Sequence, residues 1–236
     1  MINKVITAIN TFGKKNKCEK ICVSLSGGVD SMVLLHCLKM YQIRTKDFVS
    51  GTKFSLSAVH INYNNRESCI DEVNFVQTFC NSLKVPLFIR HITEMTRERD
   101  NTRQEYETLT RNIRFDAYKT QSCPILLGHN YEDTIENLIS NIASKKKYYN
   151  LKGMKYEIIE NGVTVIRPLL HISKSEIYMY AKNFDIKYLS DSTPKWSRRG
   201  KLRDHIIPTL ERYEPNLIKG LEAIAQMLSD KYNTNG

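Results

Sequence analysis

Short apolar runs alternate with amphipathic stretches along most of the chain, and this alternation restricts the fold more than any other feature. Apolar runs of about four to eight residues are typical of buried strands, and the stretches between them have the period of helices. Because parallel strands need long crossovers, the alternation predicts a three-layer α/β fold around a parallel sheet. The predicted strands are residues 21–25, 54–61, 85–92, 124–128 and 163–166, and the predicted helices are residues 32–40, 71–83, 106–119, 131–143, 173–184, 202–210 and 216–232.

A glycine-rich turn with the sequence SGGVDS, residues 26–31, directly follows the first predicted strand and opens a helix. Its backbone N–H groups and the helix N-terminus converge on one point, which favours binding of a phosphate. The carboxylate of Asp30 suits such a site if Mg²⁺ or a substrate amine lies beside the phosphates. Neither the Walker ending nor the G-x-G-x-x-G pattern is present, and the alternative is a simple capped glycine turn. The predicted phosphate contacts are Ser26, Gly27, Gly28, Asp30 and Ser31.

Part of the formal charge of +10 lies in two short basic segments. Residues 143–155 contain five lysines, two tyrosines and no acid, and residues 195–203 contain five basic residues, one tryptophan and no acid. Cations beside aromatic rings suit RNA, because cations contact phosphates while rings stack on unpaired bases. The alternatives are solvated loops, with the ring of Trp196 buried beneath the second one. The predicted RNA contacts here are Lys145, Lys146, Lys147, Trp196, Arg198, Arg199 and Arg203.

The six cysteines are scattered and form no C-x-x-C pair. This spacing argues against a disulfide framework, a zinc site and an iron–sulfur cluster. No apolar run approaches the roughly 20 residues of a membrane-spanning helix. We therefore expect a cytoplasmic protein without a membrane partner.

Charged residues also cluster around the fourth predicted strand. His129, Asp133 and Glu136 have the spacing of one helix face, at the end of a strand where ligand sites of α/β sheets lie. Two carboxylates there can hold an ammonium group or a metal, and Arg111 can pair bidentately with a carboxylate. The alternatives are a solvated helix face for the two acids and a backbone-bonded histidine at position 129.

The turn at residues 26–31 resembles the SGGxDS loop of the N-type ATP pyrophosphatases, or PP-loop proteins. Members of that family split ATP between the α- and β-phosphates, attach AMP to a substrate oxygen and release pyrophosphate. The loop alone does not distinguish members that act on small molecules from members that modify tRNA.

Further segments resemble the tRNA-modifying branch of the family, and the match extends from about residue 21 to residue 210. Residues 127–136 resemble its LGH-x-x-DD-x-x-ET motif, and residues 107–115 resemble its E-x-x-x-R-x-x-RY helix. Residues 167–170 resemble its RPLL segment, and residues 191–208 resemble the ending of the tRNA(Ile)-lysidine synthetases. The chain resembles a short form that lacks the C-terminal tRNA-binding domains. It departs from the family pattern at Glu132, Asn137, Pro194 and Gly200.

The resemblance implies the fold of an N-type ATP pyrophosphatase, adenine nucleotide alpha-hydrolase-like and Rossmann-like, with a helical C-terminal tail. It implies a catalytic domain in residues 1–214 and a helical extension in residues 215–236. It implies ATP contacts at Ala58 and His60, in an AVH segment that ends the second strand, and Mg²⁺ at Asp30. It further implies lysine contacts at Arg111, His129, Asp133 and Glu136, catalytic roles for Asp30, Asp133 and Glu136, and tRNA contacts at Arg167 and Lys174.

The implied reaction is lysidine synthesis on the wobble cytidine of a tRNA(Ile) anticodon, with ATP, Mg²⁺ and lysine. A homodimer is left open. One alternative is tRNA 2-thiolation, which usually needs paired cysteines; here Cys69 or Cys123 would have to act alone. The other is a catalytically silent RNA-binding protein, against which the intact turn at residues 26–31 argues.

Overall fold

The computed structural model of the chain describes residues 3–5, 7, 9, 19–45, 54–64, 69–94, 103–147, 151, 153–190 and 195–234. The departure at Pro194 lies outside these residues. Within the described ranges, no helix is both long enough and apolar enough to cross a bilayer. The strands are β1 (Lys20–Ser24), β2 (Ser55–Asn62), β3 (Leu87–His91), β4 (Ile125–Leu126), β5 (Glu157–Glu160) and β6 (Val163–Ile166). The helices are α1 (Val29–Thr45), α2 (Cys69–Ser82), α3 (Arg103–Lys119), α4 (Tyr131–Ala143), α5 (Lys174–Asn183), α6 (Arg198–Lys201), α7 (Ile207–Tyr213) and α8 (Leu217–Thr234), with a π-helical turn (Leu202–Ile206) between α6 and α7.

The strands form one sheet in the order β3-β2-β1-β4-β6-β5. Strand β1 pairs in parallel with both β2 and β4, and only β5 runs antiparallel to its neighbour. The predicted parallel sheet is therefore confirmed. The chain leaves β1 toward β2 on one side and later returns to β4 on the other, so a crevice opens between the carboxyl ends of β1 and β4.

Strand β5 is absent from the prediction, although the sequence contains a signal for it. It forms a hairpin with β6 through Asn161 and Gly162, which have φ values of 48° and 76°. An Asn-Gly pair with both residues at positive φ is typical of a tight two-residue hairpin turn. The antiparallel edge strand follows from this dipeptide.

Helices cover both faces of the sheet, and alternate strand residues point to opposite cores. Ile21 and Val23 of β1 join the core that contains α1, α2 and α5, whereas Cys22 joins the core that contains α3. This alternation has the two-residue period of a strand. The predicted three-layer arrangement is thus confirmed.

Helix α1 is buried on almost every side. Met32, Val33, Leu34 and Leu35 are each fully buried, although four successive residues point in four directions around a helix. A helix that is apolar all round belongs in the interior of a protein. The packing of this helix therefore holds its N-terminus, which carries the turn at residues 26–31, in a fixed position.

The region predicted as one helix over residues 202–210 differs in the structure. A π-helical turn separates α6 from α7, and the N–H of Ile207 bonds to the carbonyl of Leu202, five residues back. Pro208 follows directly in the first turn of α7 and has no N–H to donate. The ordinary helical bond from residue 208 to the carbonyl of Asp204 is therefore missing next to the π-helical turn, and π turns recur at functional sites.

The C-terminal helix α8 packs against α4 and α7. The hydroxyl of Tyr131, the first residue of α4, donates to the Glu222 carboxylate at 2.6 Å. The predicted domain boundary between residues 214 and 215 falls in the turn between α7 and α8 and stays a prediction.

Two glycine-to-alanine substitutions should change stability in opposite directions. A Cβ added at Gly162 or at Gly220 would meet nothing within 4 Å, so the backbone alone decides the sign. Gly162→Ala places a side chain at a φ of 76° and should destabilise by about 1 kcal/mol. Gly220→Ala, inside α8, should stabilise by about 0.5–1 kcal/mol. Urea unfolding of both variants beside the parent checks this, and shifts of the same sign would contradict it.

Candidate active site

A cavity of about 1250 Å³ opens at the carboxyl ends of β1 and β4, where the strand order reverses. It is lined by the glycine-rich turn after β1, by the segment that joins β4 to α4, and by side chains from α3, α5 and α6. Ligands of open α/β sheets bind at this position because loops from both sides of the crevice meet there. Sequence segments separated by more than a hundred residues thus share one site.

The turn at residues 26–31 is held by its own hydroxyl groups. The Ser31 Oγ accepts the N–H of Ser26 at 3.1 Å and donates to the carbonyl of Gly28 at 3.0 Å. The Ser26 Oγ lies 3.1 Å from the Ser31 Oγ, and Gly27 has a φ of 83°. The turn is therefore already shaped, and its N–H groups together with the α1 dipole favour an anion.

Close contact between backbones joins the two halves of the site. A Cβ added at Gly128 would lie 3.0 Å from the N of Ser31 and 3.1 Å from the carbonyl carbon of Asp30. Both are backbone atoms at the start of the buried helix α1, so they cannot move aside. Only glycine permits β4 to end this close to the turn.

The carboxylate of Asp30 has two side-chain partners. The Lys174 Nζ lies 2.6 Å from Oδ2, and the Asn130 Nδ2 donates to Oδ1 at 3.1 Å. The N–H of Lys174 donates to both carboxylate oxygens of Glu132, at 2.8 and 2.9 Å, so Glu132 fixes the start of α5. Lys174, predicted as a tRNA contact, is thus placed beside the turn.

Asp133 and Glu136 lie side by side on α4 with side chains only 10% and 5% exposed. The Arg199 guanidinium bonds to both, with its Nε 2.5 Å from a Glu136 oxygen. The Arg203 Nε lies 2.7 Å from the other oxygen of Glu136. Neither carboxylate is therefore a solvated surface group, and the two arginines, predicted as tRNA contacts, lie against them.

Arg111 is paired within the protein as well. Its Nη2 bonds to the carboxylate of Glu160, at the end of β5, and its guanidinium lies 5.2 Å from the centre of the Phe115 ring. Of the predicted lysine contacts, Arg111, His129 and Asp133 line the same cavity, whereas Glu136 is not part of its lining. Their roles toward a ligand stay predictions.

His129 is a neutral imidazole at the cavity wall. Burial, with smaller contributions from the charges of Arg167 and Arg199, lowers its pKa to about 4. The Arg167 Nε donates to Nδ1 at 3.1 Å, so the remaining proton sits on Nε2. Arg167, another predicted tRNA contact, is therefore committed to orienting this ring.

Ala58 and His60 lie behind the cavity wall. Both are buried, at 0% and 4% exposure, and neither lines the cavity. The Nδ1 of His60 donates to the carbonyl of Leu25 at 2.7 Å, which ties the end of β2 to the residue before the glycine-rich turn. Burial lowers the pKa of His60, so it is neutral in this bond.

The predicted RNA contacts divide between the surface and the cavity. Lys145, Lys146 and Lys147 are exposed directly after α4. Trp196 is 70% exposed, so its burial beneath the loop is ruled out. Arg198 donates to the carbonyl of Ser140 and to the Ser144 hydroxyl, both at 3.2 Å, and thereby fastens α6 to the end of α4.

Three residues at this site were not predicted. Asn130 begins α4 through a capping box, in which its side chain accepts the N–H of Asp133 and the Asp133 carboxylate accepts the N–H of Asn130. The Asn-x-x-Asp spacing is a detectable capping signal. Glu132 and Glu160 carry no local signal, because their partners lie 42 and 49 residues away.

Comparison with known sequences places this site in a family. The sequence model of the PP-loop domain matches residues 1–210. The chain is 30% identical to the tRNA(Ile)-lysidine synthase of Chlamydia felis over 223 residues, 91% of this chain and 66% of that protein. It is 30% identical to the enzyme of that name from Nitrosomonas europaea over 90% of this chain and 45% of that protein. It is 26% identical to the bifunctional protein TilS/HprT of Listeria monocytogenes over 91% of this chain and 33% of that protein.

The chain thus spans between a third and two thirds of the length of these relatives. Among solved structures, the tRNA thiolase NcsA of Methanococcus maripaludis, determined with its 4Fe-4S cluster, has a TM-score of 0.73 at 22% identity, over 96% of this chain and 77% of that one. The NH3-dependent NAD synthetase of Campylobacter jejuni has a TM-score of 0.53 at 16% identity, over 99% and 93%. At these identities the two structures show a shared fold.

The neutral state of His129 predicts a pH dependence of stability. Its pKa is about 4 in the folded protein and near 6.5 in the unfolded chain, so the unfolded state binds more protons between these values. The contribution of His129 to the free energy of unfolding is fully present above pH 6.5 and is lost as the pH falls toward 4. In His129→Asn, the amide oxygen can still accept the hydrogen bond from Arg167, but the side chain does not titrate. Between pH 7 and pH 5 the free energy of unfolding of this variant should therefore fall by up to about 2 kcal/mol less than that of the parent. Urea unfolding at both pH values checks this, and equal losses in parent and variant would contradict it.

Proposed function

We propose that this chain, which belongs to the PP-loop family, uses ATP to modify tRNA by joining an amine substrate, lysine, to an adenylated base. The observation that carries the proposal is the meeting of two features in one cavity. The shaped turn at residues 26–31 lies at the crevice between β1 and β4, and the nearly buried carboxylate of Asp133 lines the same cavity, with Glu136 of α4 bound to the same Arg199. A site that only binds RNA has no use for either.

The turn and Lys174 supply the ATP subsite. The N–H groups of residues 26–31 and the N-terminus of α1 bind the phosphates, since backbone donors at a helix start favour anions. Lys174 Nζ, now 2.6 Å from Asp30, lies within reach of the same phosphates. Its charge stabilises the pyrophosphate that leaves, because transfer of this kind depends mainly on position and charge neutralisation.

Magnesium fits this subsite as an ion shared with the nucleotide. Within the described residues, no group of three acidic, histidine or cysteine side chains could hold a metal. Asp30 is a single carboxylate at the turn, and Mg²⁺ is commonly held by one or two carboxylates together with substrate phosphates. The ion would neutralise phosphate charge, and Asp30 would hold it.

Asp133, Glu136 and Arg111 supply the amine subsite. The carboxylates bind the ammonium end of lysine, and Arg111 binds its carboxylate bidentately. Asp133 and Arg111 line the cavity that holds the turn at residues 26–31. Neutral His129 adds an N–H at Nε2 without adding charge. A carboxylate close to the ammonium can take its proton, which the amine must lose before it attacks.

The reaction has two steps in this proposal. The O2 of a cytidine attacks the α-phosphate of ATP, and pyrophosphate leaves. The ε-amine of lysine then attacks C2 of the adenylated base, AMP leaves with the former O2, and the amine loses a proton. The base must leave its stack to reach the cavity, which suits an unpaired anticodon-loop nucleotide.

Thiolation is the second candidate, and the cysteines disfavour it. Among the described cysteines, Cys22, Cys37, Cys69 and Cys80 are buried and Cys123 is half-buried. Burial raises the pKa values of Cys22 and Cys80 to about 12, so these thiols are poor nucleophiles at neutral pH. Neither Cys69 nor Cys123, the two candidates for thiolation, lines the cavity.

One experiment separates the candidates. Pyrophosphate release from ATP is measured with unfractionated tRNA, alone, with lysine, and with sulfide as sulfur donor. Release that depends on tRNA, followed by attachment of labelled lysine to the RNA, supports the proposal. Incorporation of sulfur instead would favour thiolation, and tRNA binding without any ATP cleavage would leave a silent binding protein.

Lys174→Gln should weaken ATP binding by roughly 10- to 100-fold, because it removes a charge-assisted contact to phosphate. Lys182→Gln, on the same helix but exposed and outside the cavity, is the matched control and should bind ATP like the parent. Isothermal calorimetry with a non-hydrolysable ATP analogue measures both. Equal affinities in the two variants would remove Lys174 from the nucleotide subsite.

The combined substitution Lys145/Lys146/Lys147→Ala should weaken tRNA binding and leave ATP binding unchanged, because these side chains are exposed and outside the cavity. Each lost phosphate contact lowers the slope of log affinity against log salt by about one unit. Filter binding across a salt series measures the slope. An unaltered slope would mean that this segment is only solvated surface.

A further inference from the structure

The subsite proposed for the lysine amine is already occupied by the protein's own cations. The Arg199 guanidinium bonds to both Asp133 and Glu136, and the Arg203 Nε lies 2.7 Å from Glu136. We propose that these two arginines close the amine subsite, and that tRNA phosphates draw them away and so open it. The inference rests on the proposed function, since it concerns the entry of its second substrate.

The carboxylates need such a partner when no substrate is present. Their side chains are 10% and 5% exposed, and two neighbouring carboxylates removed from water repel each other. An uncompensated buried charge is strongly destabilising, whereas a paired one is tolerated. Some cation must therefore occupy this position at all times, and an ammonium group can enter only as a guanidinium leaves.

The opposite end of the predicted lysine subsite is closed in the same way. The Arg111 guanidinium, expected to receive the substrate carboxylate, is paired with the Glu160 carboxylate. Arg199 thus takes the place of the substrate ammonium, and Glu160 takes the place of the substrate carboxylate. The protein fills both ends of the subsite with groups of the same charge as the ligand.

The position of the two arginines makes tRNA the fitting trigger. They lie in the basic residues 195–203, and their side chains are 48% and 34% exposed, so they touch the carboxylates on one side and solvent on the other. A phosphate offers a guanidinium the same bidentate geometry as a carboxylate. Arg199 belongs to α6, whereas Arg203 belongs to the π-helical turn that interrupts the regular helix directly after α6.

Thermodynamic reciprocity makes the coupling measurable from the RNA side. If tRNA binds the state in which the arginines have left the carboxylates, a variant that weakens the arginine–carboxylate contacts populates that state more and so strengthens tRNA binding. Glu136→Gln combined with Asp133→Asn should therefore raise tRNA affinity at least fivefold. Asp116→Asn combined with Asp185→Asn removes the same charge from two exposed ion pairs and should raise it much less. Filter binding measures both, and Glu136→Gln alone serves if circular dichroism shows the double variant unfolded.

The amine side provides the second measurement. With a non-hydrolysable ATP analogue present, the parent should bind free L-lysine at least tenfold more tightly when unfractionated tRNA is added. Arg199→Gln should bind lysine more tightly than the parent without tRNA and should respond less to tRNA. Lys201→Gln, an exposed cation of the same helix, is the charge-matched control and should behave like the parent.

Equal lysine affinity with and without tRNA in the parent would overturn the inference. So would a carboxylate variant that binds tRNA no more tightly than Asp116→Asn with Asp185→Asn. These outcomes are distinct from failure of the proposed function, which is read from tRNA-dependent pyrophosphate release. If the protein releases pyrophosphate but tRNA and lysine do not affect each other's binding, the proposed function stands and closure of the amine subsite by Arg199 and Arg203 is refuted.

Discussion

The site depends on the distance between two backbones at the centre of the sheet. Gly128, after β4, lies so close to the start of α1 that a single added carbon would meet the backbone of Asp30 and Ser31. Because α1 is buried on almost every side, its N-terminus is a fixed reference point. The phosphate turn, Asn130 and the carboxylates of α4 all take their positions from this contact.

The features that follow local rules were predictable. The parallel strands and the turn at residues 26–31 are determined by short segments and are confirmed. Strand β5 also had its local signal, the Asn161-Gly162 turn, which periodicity alone overlooked. The partners of the charged residues could not be predicted, because Arg199 meets Asp133 across 66 residues and Lys174 meets Asp30 across 144. An isolated arginine in a basic segment has the same sequence signature whether it faces solvent or a carboxylate.

Charged residues of the cavity repeatedly occur with an internal partner of opposite sign. Asp30 has Lys174, Arg111 has Glu160, and Asp133 and Glu136 have Arg199 and Arg203. Partly exposed ion pairs contribute only about 0–1 kcal/mol, so exchanging one partner for a substrate group costs little. A nearly buried carboxylate is different, since leaving it without any partner is costly. The cavity therefore suits ligands that replace existing partners more than ligands that merely add charge.

The long sequence separations within the site also dictate when it can form during folding. Asp30 and Asn130 are 100 residues apart, and Asp30 and Lys174 are 144 apart. Contacts between residues this far apart in the sequence form late in folding, because the chain between them must lose conformational entropy before the contact stabilises the protein. An intermediate that contains β1, β2 and β3 alone would present the glycine-rich turn without the lysine that faces it. A ligand held jointly by the glycine-rich turn and Lys174 would therefore report the docking of β4 and α5, and it would stabilise the finished protein over its partly folded precursors by mass action.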